Sequence, residues 1–465
     1  MDIRFSPHNT HLENRSLFSS LDPHLRQLKN QALVYRFPLL DRLTLKTPGI
    51  YSISGGRQIG KTTLLKQWMA ELLEKNIDPS RIVYFTGELI DDHHSLVRLI
   101  TETDRDMPDN GMCYLLLDEV TYIRGWDKGV KFLADAGILE HIILMLTGSD
   151  TVLIKEARMR FPGRRGEAEI VDFLLHPLNF FEFINLRKRF CQVELEQLAG
   201  RDIEENSQLI IKLFEEFKNY MAHGGFLTAI NDVEKNGYIK PSTLYTYSDW
   251  IRGDVLKRGK QEHYLREVLN AIVNRYGSQV TWNALSKDLS IDHPKTVADY
   301  VALLESMDVA FVQAAISEDK LSASPKKARK MMFTDPFIFH AIRAWLTPVE
   351  DPYKIQIEVA LSERNWSSRL AESCVATHYS RHYPTYYIKA KGEVDVAYVS
   401  HNRFWPVEVK WTAQIRPKDL KQVAKYSNSR ILTCLQRYGE IMGVHTEPLP
   451  LALFRLGKDM ENIVK

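Results

Sequence analysis

Cysteine is scarce and scattered. Cys113, Cys191, Cys374 and Cys434 form no CxxC pair and no Cys/His spacing, which argues against a structural zinc site and a disulfide framework. No uninterrupted apolar run is long enough to span a bilayer, and the opening MDIRFSPHNTHLENRSLF lacks the apolar centre of a signal peptide. A cytoplasmic protein with no membrane partner is therefore expected. An excess of one charge sign is also missing: the formal net charge is +2 over 465 residues, a total that can still hide a local basic face. Internal repeats and low-complexity tracts are absent. What remains is an ordinary globular composition, 44% hydrophobic and 26% charged, on a chain long enough for about two to four domains.

Residues 1–30 are polar and helix-prone and carry no recognisable chemistry. In PGIYSISGGRQIGKTTLLKQWMAELLEKN a β-rich run, Ile50 to Ser54, meets a glycine-rich turn and then apolar residues at helical spacing (Leu64, Leu65, Trp68, Met69, Leu72). Further β-like runs at RIVYFTGEL, CYLLLDEV and IILMLTGS, separated by helix-compatible segments, predict a parallel sheet covered by helices, an α/β domain over 31–185. A helical lid is expected over 186–262, interrupted by the glycine turn or hinge of HGGFLTAI. Over 263–320 a helix, a short helix at TWNALSKDLS, a longer helix begun at Pro294 and a strand at VAFVQAAI have the order of a winged helix. Val297, Tyr300, Val301 and Leu304 form the inward stripe of that longer helix. The last domain, 321–465, begins with the basic SPKKARK, continues through a helix around 362–378 and ends rich in β-structure.

Gly55, four residues, then Gly60-Lys61-Thr62 form a complete phosphate loop between the predicted strand and helix. Its glycines let backbone N–H groups wrap a phosphate, Lys61 reaches the β- and γ-oxygens, the Thr62 hydroxyl ligates Mg2+, and Thr63 completes the nucleotide-binding set. LLLDE supplies the complement: Asp118 to hold the magnesium and Glu119 to polarise an attacking water. ATP hydrolysis is the expected chemistry. Thr147 and Ser149 at the end of IILMLTGSD either sense the γ-phosphate or serve as ordinary loop residues. Arg164 and Arg165 in FPGRRGEAE either offer a guanidinium to a neighbouring subunit's nucleotide, which would require a homo-oligomer, or form surface ion pairs.

LLLDEVTYIRGWDKGVKFL, LMLTGSD, FPGRRG, HPLNFFEF and HGGF together resemble the AAA-type P-loop ATPases of archaea and bacteria that carry a winged helix and a restriction-nuclease-like C-terminal domain. The resemblance runs from about Leu33 onward and implies this architecture together with ATP binding. One departure is Gly56, where that family's loop more often has proline.

Nucleases of the PD-(D/E)xK type hold one or two magnesium ions with carboxylates and use a lysine beside the scissile phosphate. They place the aspartate on one strand of a hairpin and Glu-x-Lys on the next, since alternate residues share a face. Asp395 in GEVDVAYV, with Glu408 and Lys410 in WPVEVKW, follows that pattern across an HNR turn, and Glu372 on the preceding helix matches the carboxylate such folds often add. Asp395 and Glu408 are the expected metal ligands, for Mg2+ or Mn2+. Glu393 either shares that face or lies at the surface; Lys418, Lys421 and Lys425 in an expected helix either touch phosphate or face solvent. The alternative for the whole run is an amphipathic hairpin with solvated charges.

The expected function is ATP-dependent processing of duplex or branched DNA, because the Glu, Asp, Glu-x-Lys set is also similar to that of archaeal Holliday-junction resolvases. Phosphate contacts from Lys326, Lys327, Arg329 and Lys330 would assist. The competing reading is an ATP-driven switch whose C-terminal domain binds DNA or a protein without cutting.

Overall fold

The computed structural model describes residues 2–43, 46–108, 111–149, 159, 161, 163–166, 170–200, 207–287, 289–291 and 293–464, with side chains to residue 460. Pro162 and residues 167–169 of the FPGRRGEAE run lie outside them. The chain divides into two compact units, Met1–His176 and Pro177–Lys465.

The first unit is built on five parallel strands: β1 (Gly49–Gly55), β2 (Ile82–Thr86), β3 (Cys113–Asp118), β4 (Ile142–Gly148) and β5 (Asp172–Leu175), in the order β2-β3-β4-β1-β5. Strands β1, β3 and β4 are buried at every position, which explains why they read as continuous apolar runs and not as alternation. Because all five run the same way, the phosphate loop after β1 and the polar residues ending β3 and β4 share one edge of the sheet.

The N-terminal segment has a structural task that its composition did not show. One edge strand of the sheet is β2, and Asn9 meets it in place of another strand, its side chain donating to the Tyr84 carbonyl and accepting from the Tyr84 N–H, both at 2.8 Å. His11 adds a contact to the Ile82 carbonyl at 2.7 Å. Helix α1 (Pro23–Lys29) follows, capped by Asp22. Helices α2 (Lys61–Glu74), α3 (His93–Asp106) and α4 (Trp126–Asp135) complete the unit's longer helices.

The second unit opens with five helices, α5 (Phe180–Arg187), α6 (Gln192–Ala199), α7 (Gln208–His223), α8 (Leu227–Asn236) and α9 (Pro241–Lys257). Three more follow, α10 (Glu262–Asn274), α11 (Trp282–Ser286) and α12 (Pro294–Ser306), with Val297, Tyr300, Val301 and Leu304 of α12 buried and Pro294 in its first turn. Behind them β6 (Ala310–Ala314) pairs antiparallel with β9 (Arg329–Phe333), and a smaller hairpin, β7 (Ile316–Ser317) and β8 (Ser322–Ala323), lies between. After α13 (Pro336–Leu346) and α14 (Arg364–Ser380) comes a six-stranded mixed sheet, closed by α15 (Leu449–Val464). Its strands are β10 (Thr385–Lys389), β11 (Glu393–Ser400), β12 (Arg403–Lys410), β13 (Arg430–Thr433), β14 (Gly439–Ile441) and β15 (Val444–Pro448), in the order β10-β11-β12-β13-β15-β14.

The β11–β12 hairpin turns at His401 and Asn402, whose φ values of 52° and 56° match a two-residue primed turn between Ser400 and Arg403. The helix expected around Lys418, Lys421 and Lys425 is instead two short 3-10 turns, Pro417–Leu420 and Val423–Lys425. Leu420 and Val423 are the fully buried apolar residues of these turns, with Ala424 partly buried beside them, too little apolar face to hold a longer helix. Among the described residues no helix is long and apolar enough to cross a membrane.

Candidate functional site

Among the described residues, each unit contains a dense constellation of polar side chains that the sequence singles out. In the first, Gln58 and Gly60 adopt positive φ (60° and 95°), winding the loop between β1 and α2. Gly60 has no room for a side chain, since a Cβ would lie 2.6 Å from the Phe37 ring. Lys61 is buried and donates to the carbonyls of Gly55 (3.1 Å) and Gly56 (2.8 Å), with Glu119 Oε1 at 3.8 Å. The Thr62 hydroxyl donates to Asp118 Oδ2 at 2.6 Å, and Ser149 donates to Glu119 Oε2 at 3.2 Å. Thr63 lies in the first turn of α2.

Glu119 has a left-handed backbone (φ 49°, ψ 46°), a conformation that strains a residue with a side chain. Thr147, read from sequence as a possible phosphate sensor, is fully buried; its hydroxyl donates to Asp118 Oδ1 and accepts from the Glu119 N–H at 3.0 Å. Its oxygen is committed to the two carboxylate residues, which leaves Ser149 as the hydroxyl beside Glu119. Arg164 is paired with Asp135 at the end of α4, and Arg165 with Asp172.

Three residues of this centre escaped the sequence reading. Tyr84 on β2 donates its hydroxyl to Asp118 Oδ2 at 2.7 Å, and burial followed by the Asp118 charge holds its proton on. The Lys66 ammonium lies 3.6 Å from the centre of the Tyr84 ring and 3.2 Å from Asp22 Oδ2. Lys66 and Asp22 are both 0% exposed. A lysine among the apolar residues of α2 was the only signal, and it did not name its partner.

In the second unit, continuing the β11–β12 register by one and three steps beyond the Val396–Val407 pair puts Asp395 opposite Glu408 and Glu393 opposite Lys410, all on one face. The Val409 N–H donates to Asp395 Oδ2 at 2.9 Å, and Lys410 pairs with Glu408 Oε1. From α14 Glu372 joins them. Burial first, then the Asp395 charge, raises the Glu408 pKa against the pull of Lys410; Glu372 is also raised, chiefly by burial. One oxygen each from Glu372, Glu393 and Asp395 lies within 4.8 Å of the others, a spacing suited to a cation.

Lys330 departs from its expected place. It is 1% exposed, and its ammonium pairs with Glu372 (2.7 Å), Glu393 and Asp395 (3.5 Å), so it is no candidate for a surface phosphate contact. Burial opposes its charge, but Glu372, Asp395 and Glu393 outweigh burial and raise its pKa. Lysine at the head of the apolar run KMMF carried no hint of carboxylates 42 and 65 residues further on.

The strand order, the loop and the two carboxylates ending β3 define a P-loop ATPase domain. Residues 47–184 match the family model described as an AAA domain, and residues 214–348 match one described as a domain of unknown function, DUF8612. An uncharacterized protein of Haemophilus influenzae is 27% identical over 274 residues, covering 56% of this chain and 61% of that protein. An uncharacterized protein of Methanocaldococcus jannaschii is 25% identical over 270 residues, 55% of each. The chain thus spans less than two thirds of the length of these relatives. Among solved structures, the Walker-type ATPase of Pyrococcus abyssi is 15% identical with a TM-score of 0.43, covering 63% of this chain and 91% of that one. The Aeropyrum pernix ORC1 protein, solved in complex with DNA, is 14% identical with a TM-score of 0.31, covering 75% and 94%.

Proposed function

We propose that the protein couples ATP hydrolysis in its first unit to metal-dependent cleavage of DNA by its second. The observation that carries the nuclease half is the convergence of Asp395, Glu408 and Lys410 on one face of a hairpin, with Glu372 brought alongside from α14.

In the first unit Lys61, Thr62 and Asp118 are the residues to hold nucleotide and magnesium, and the donor set fits them: a buried ammonium on the loop carbonyls and a hydroxyl bound to a carboxylate. Bound Mg2+ neutralises phosphate charge. Glu119, beside Lys61 and Ser149, is the base that orients and polarises water. Arg164 remains a candidate for a neighbouring copy's nucleotide in a homo-oligomer, on condition that it leaves Asp135.

In the second unit Asp395 and Glu408 are the ligands for Mg2+ or Mn2+, which supplies charge stabilisation at the scissile phosphate. Lys410 stands beside them to hold the attacking water or the developing charge. The order α10, α11, α12 and the β6–β9 pair supports reading a winged helix as the element that contacts DNA, duplex or branched.

The test is incubation of wild type and Asp395→Asn with four-way-junction and linear duplex DNA, in Mg2+ or Mn2+, with and without ATP. Cleavage by wild type that disappears in the variant supports the reading. An active ATPase that cuts no substrate under these conditions would sink it in favour of a nucleotide-driven binding switch.

A further inference from the structure

Two neighbouring oxygen environments in the second centre differ. Glu372, Glu393 and Asp395 are spaced for one metal ion, yet they already surround a cation, the Lys330 ammonium. Glu408 is the opposite case. One of its oxygens meets Lys410, while Oε2 is buried and has no hydrogen-bond partner among the described residues, in a side chain only 5% exposed. A buried carboxylate oxygen left without a donor is unfavourable, so such an atom points to a ligand it is built to receive.

The placement of Lys330 is specified twice. It sits opposite Gln313 in the β6–β9 pair. Fully buried Gln313 clamps two strands of the C-terminal sheet, donating to the backbone carbonyls of Asp395 on β11 and Tyr386 on β10, both at 3.0 Å. The Tyr387 hydroxyl donates back to the Ala328 carbonyl at 2.5 Å. Lys330 is therefore delivered to the carboxylates by a docked strand pair, which a flexible surface lysine would not need. Four carboxyl groups (Glu372, Glu393, Asp395, Glu408) face two ammonium groups (Lys330, Lys410), so with all four carboxyls ionised one divalent ion balances the set.

We propose that Lys330 is the permanent occupant of one of two adjoining cation positions, so that the centre takes a single divalent ion, held between Asp395 and Glu408. Glu372 and Glu393 hold the lysine and are not metal ligands. Lys330 is thus a positioning residue for the metal, and the inference rests on reading Asp395, Glu408 and Lys410 as a metal-dependent centre.

Mn2+ titration of the full chain without nucleotide, followed by electron paramagnetic resonance or calorimetry, tests it. Wild type and Lys61→Ala should each bind one ion, and Glu408→Gln should weaken that ion by about 10–100-fold or more. Lys330→Met should bind a second ion among the carboxylates it leaves exposed to one another. Because Lys330→Met risks misfolding, Glu372→Gln is the companion: with Lys330 in place it should still bind one ion, within about threefold of wild type, well short of the loss expected for a true ligand. Loss of the ion in Glu372→Gln overturns the assignment. So does a folded Lys330→Met that binds one ion at unchanged affinity, or wild type that binds none while Lys330→Met binds one. Cleavage is scored separately: one ion, the predicted responses and no cut DNA would end the nuclease reading and leave Lys330's assignment standing.

Discussion

At Glu119 local conformation and chemistry pull in opposite directions. Its carboxylate lies beside Lys61 and Ser149, and its backbone sits in the left-handed region, which is unfavourable for a residue with a Cβ by about 1–2 kcal/mol. Glycine removes that strain but loses more freedom on folding, an opposing contribution of about 0.5–1 kcal/mol. Glu119→Gly should therefore be more stable than Glu119→Ala by up to about 1 kcal/mol, while both lose ATP hydrolysis equally because both lack the carboxylate. Denaturation midpoints of the two variants, set beside their turnover, check this. Equal stability would mean that the backbone strain is relieved elsewhere in the loop.

Among the elements, the N-terminal segment is tied to α2 by one buried ion pair. Asp22→Ala leaves the Lys66 ammonium with the His8 carbonyl (2.8 Å) and the Tyr84 and Phe18 rings but no carboxylate partner in ion-pair contact among the described residues, and should destabilise the first unit by about 3–5 kcal/mol. Asp22→Ala with Lys66→Met should recover most of that loss, retaining about 1 kcal/mol for the missing cap on His24 and Leu25. Urea unfolding of the single and double variants decides between this and a pair that contributes nothing. In the second unit Asp335 joins two elements, accepting from the Gly225 N–H (2.9 Å) and from Phe337 at the start of α13 (2.8 Å). Burial raises its pKa from 3.8 to about 6 against the pull of those donors. The folded state then binds more protons than the unfolded state in this range, so the contribution is full below about pH 4 and is lost as pH rises through about 6. Wild type should lose up to about 3 kcal/mol over that window relative to Asp335→Asn, measured as the difference between their unfolding curves. These pairings also mark what was legible in the sequence. The phosphate loop, the LLLDE strand and the Asp395–Glu408 hairpin declare themselves through periodicity and turn residues within about 20 residues of chain. Asp22 with Lys66, Gln313 with β11, and Lys330 with Glu372 are contacts between segments far apart in sequence; a buried lysine signals that a partner exists without saying which.

For the whole molecule, no residue belongs to both centres: the residues proposed to hold nucleotide come from Met1–His176, and the carboxylate–lysine set from Pro177–Lys465. Lys61→Ala should therefore abolish ATP turnover while leaving Mn2+ binding at Asp395 and Glu408 within about twofold of wild type, and Asp395→Asn should do the reverse. Any influence of nucleotide on the second centre must then be a coupling free energy between units, and linkage makes it symmetric. If ATP changes the Mn2+ affinity of the second centre by some factor, Mn2+ there must change ATP affinity by the same factor. Lys61→Ala, unable to grip the nucleotide, should bring that factor to about one at ATP concentrations that saturate wild type. Titrating Mn2+ at several ATP concentrations in both proteins measures it. A factor that survives in Lys61→Ala would mean that ATP reaches the second centre by binding somewhere other than the phosphate loop.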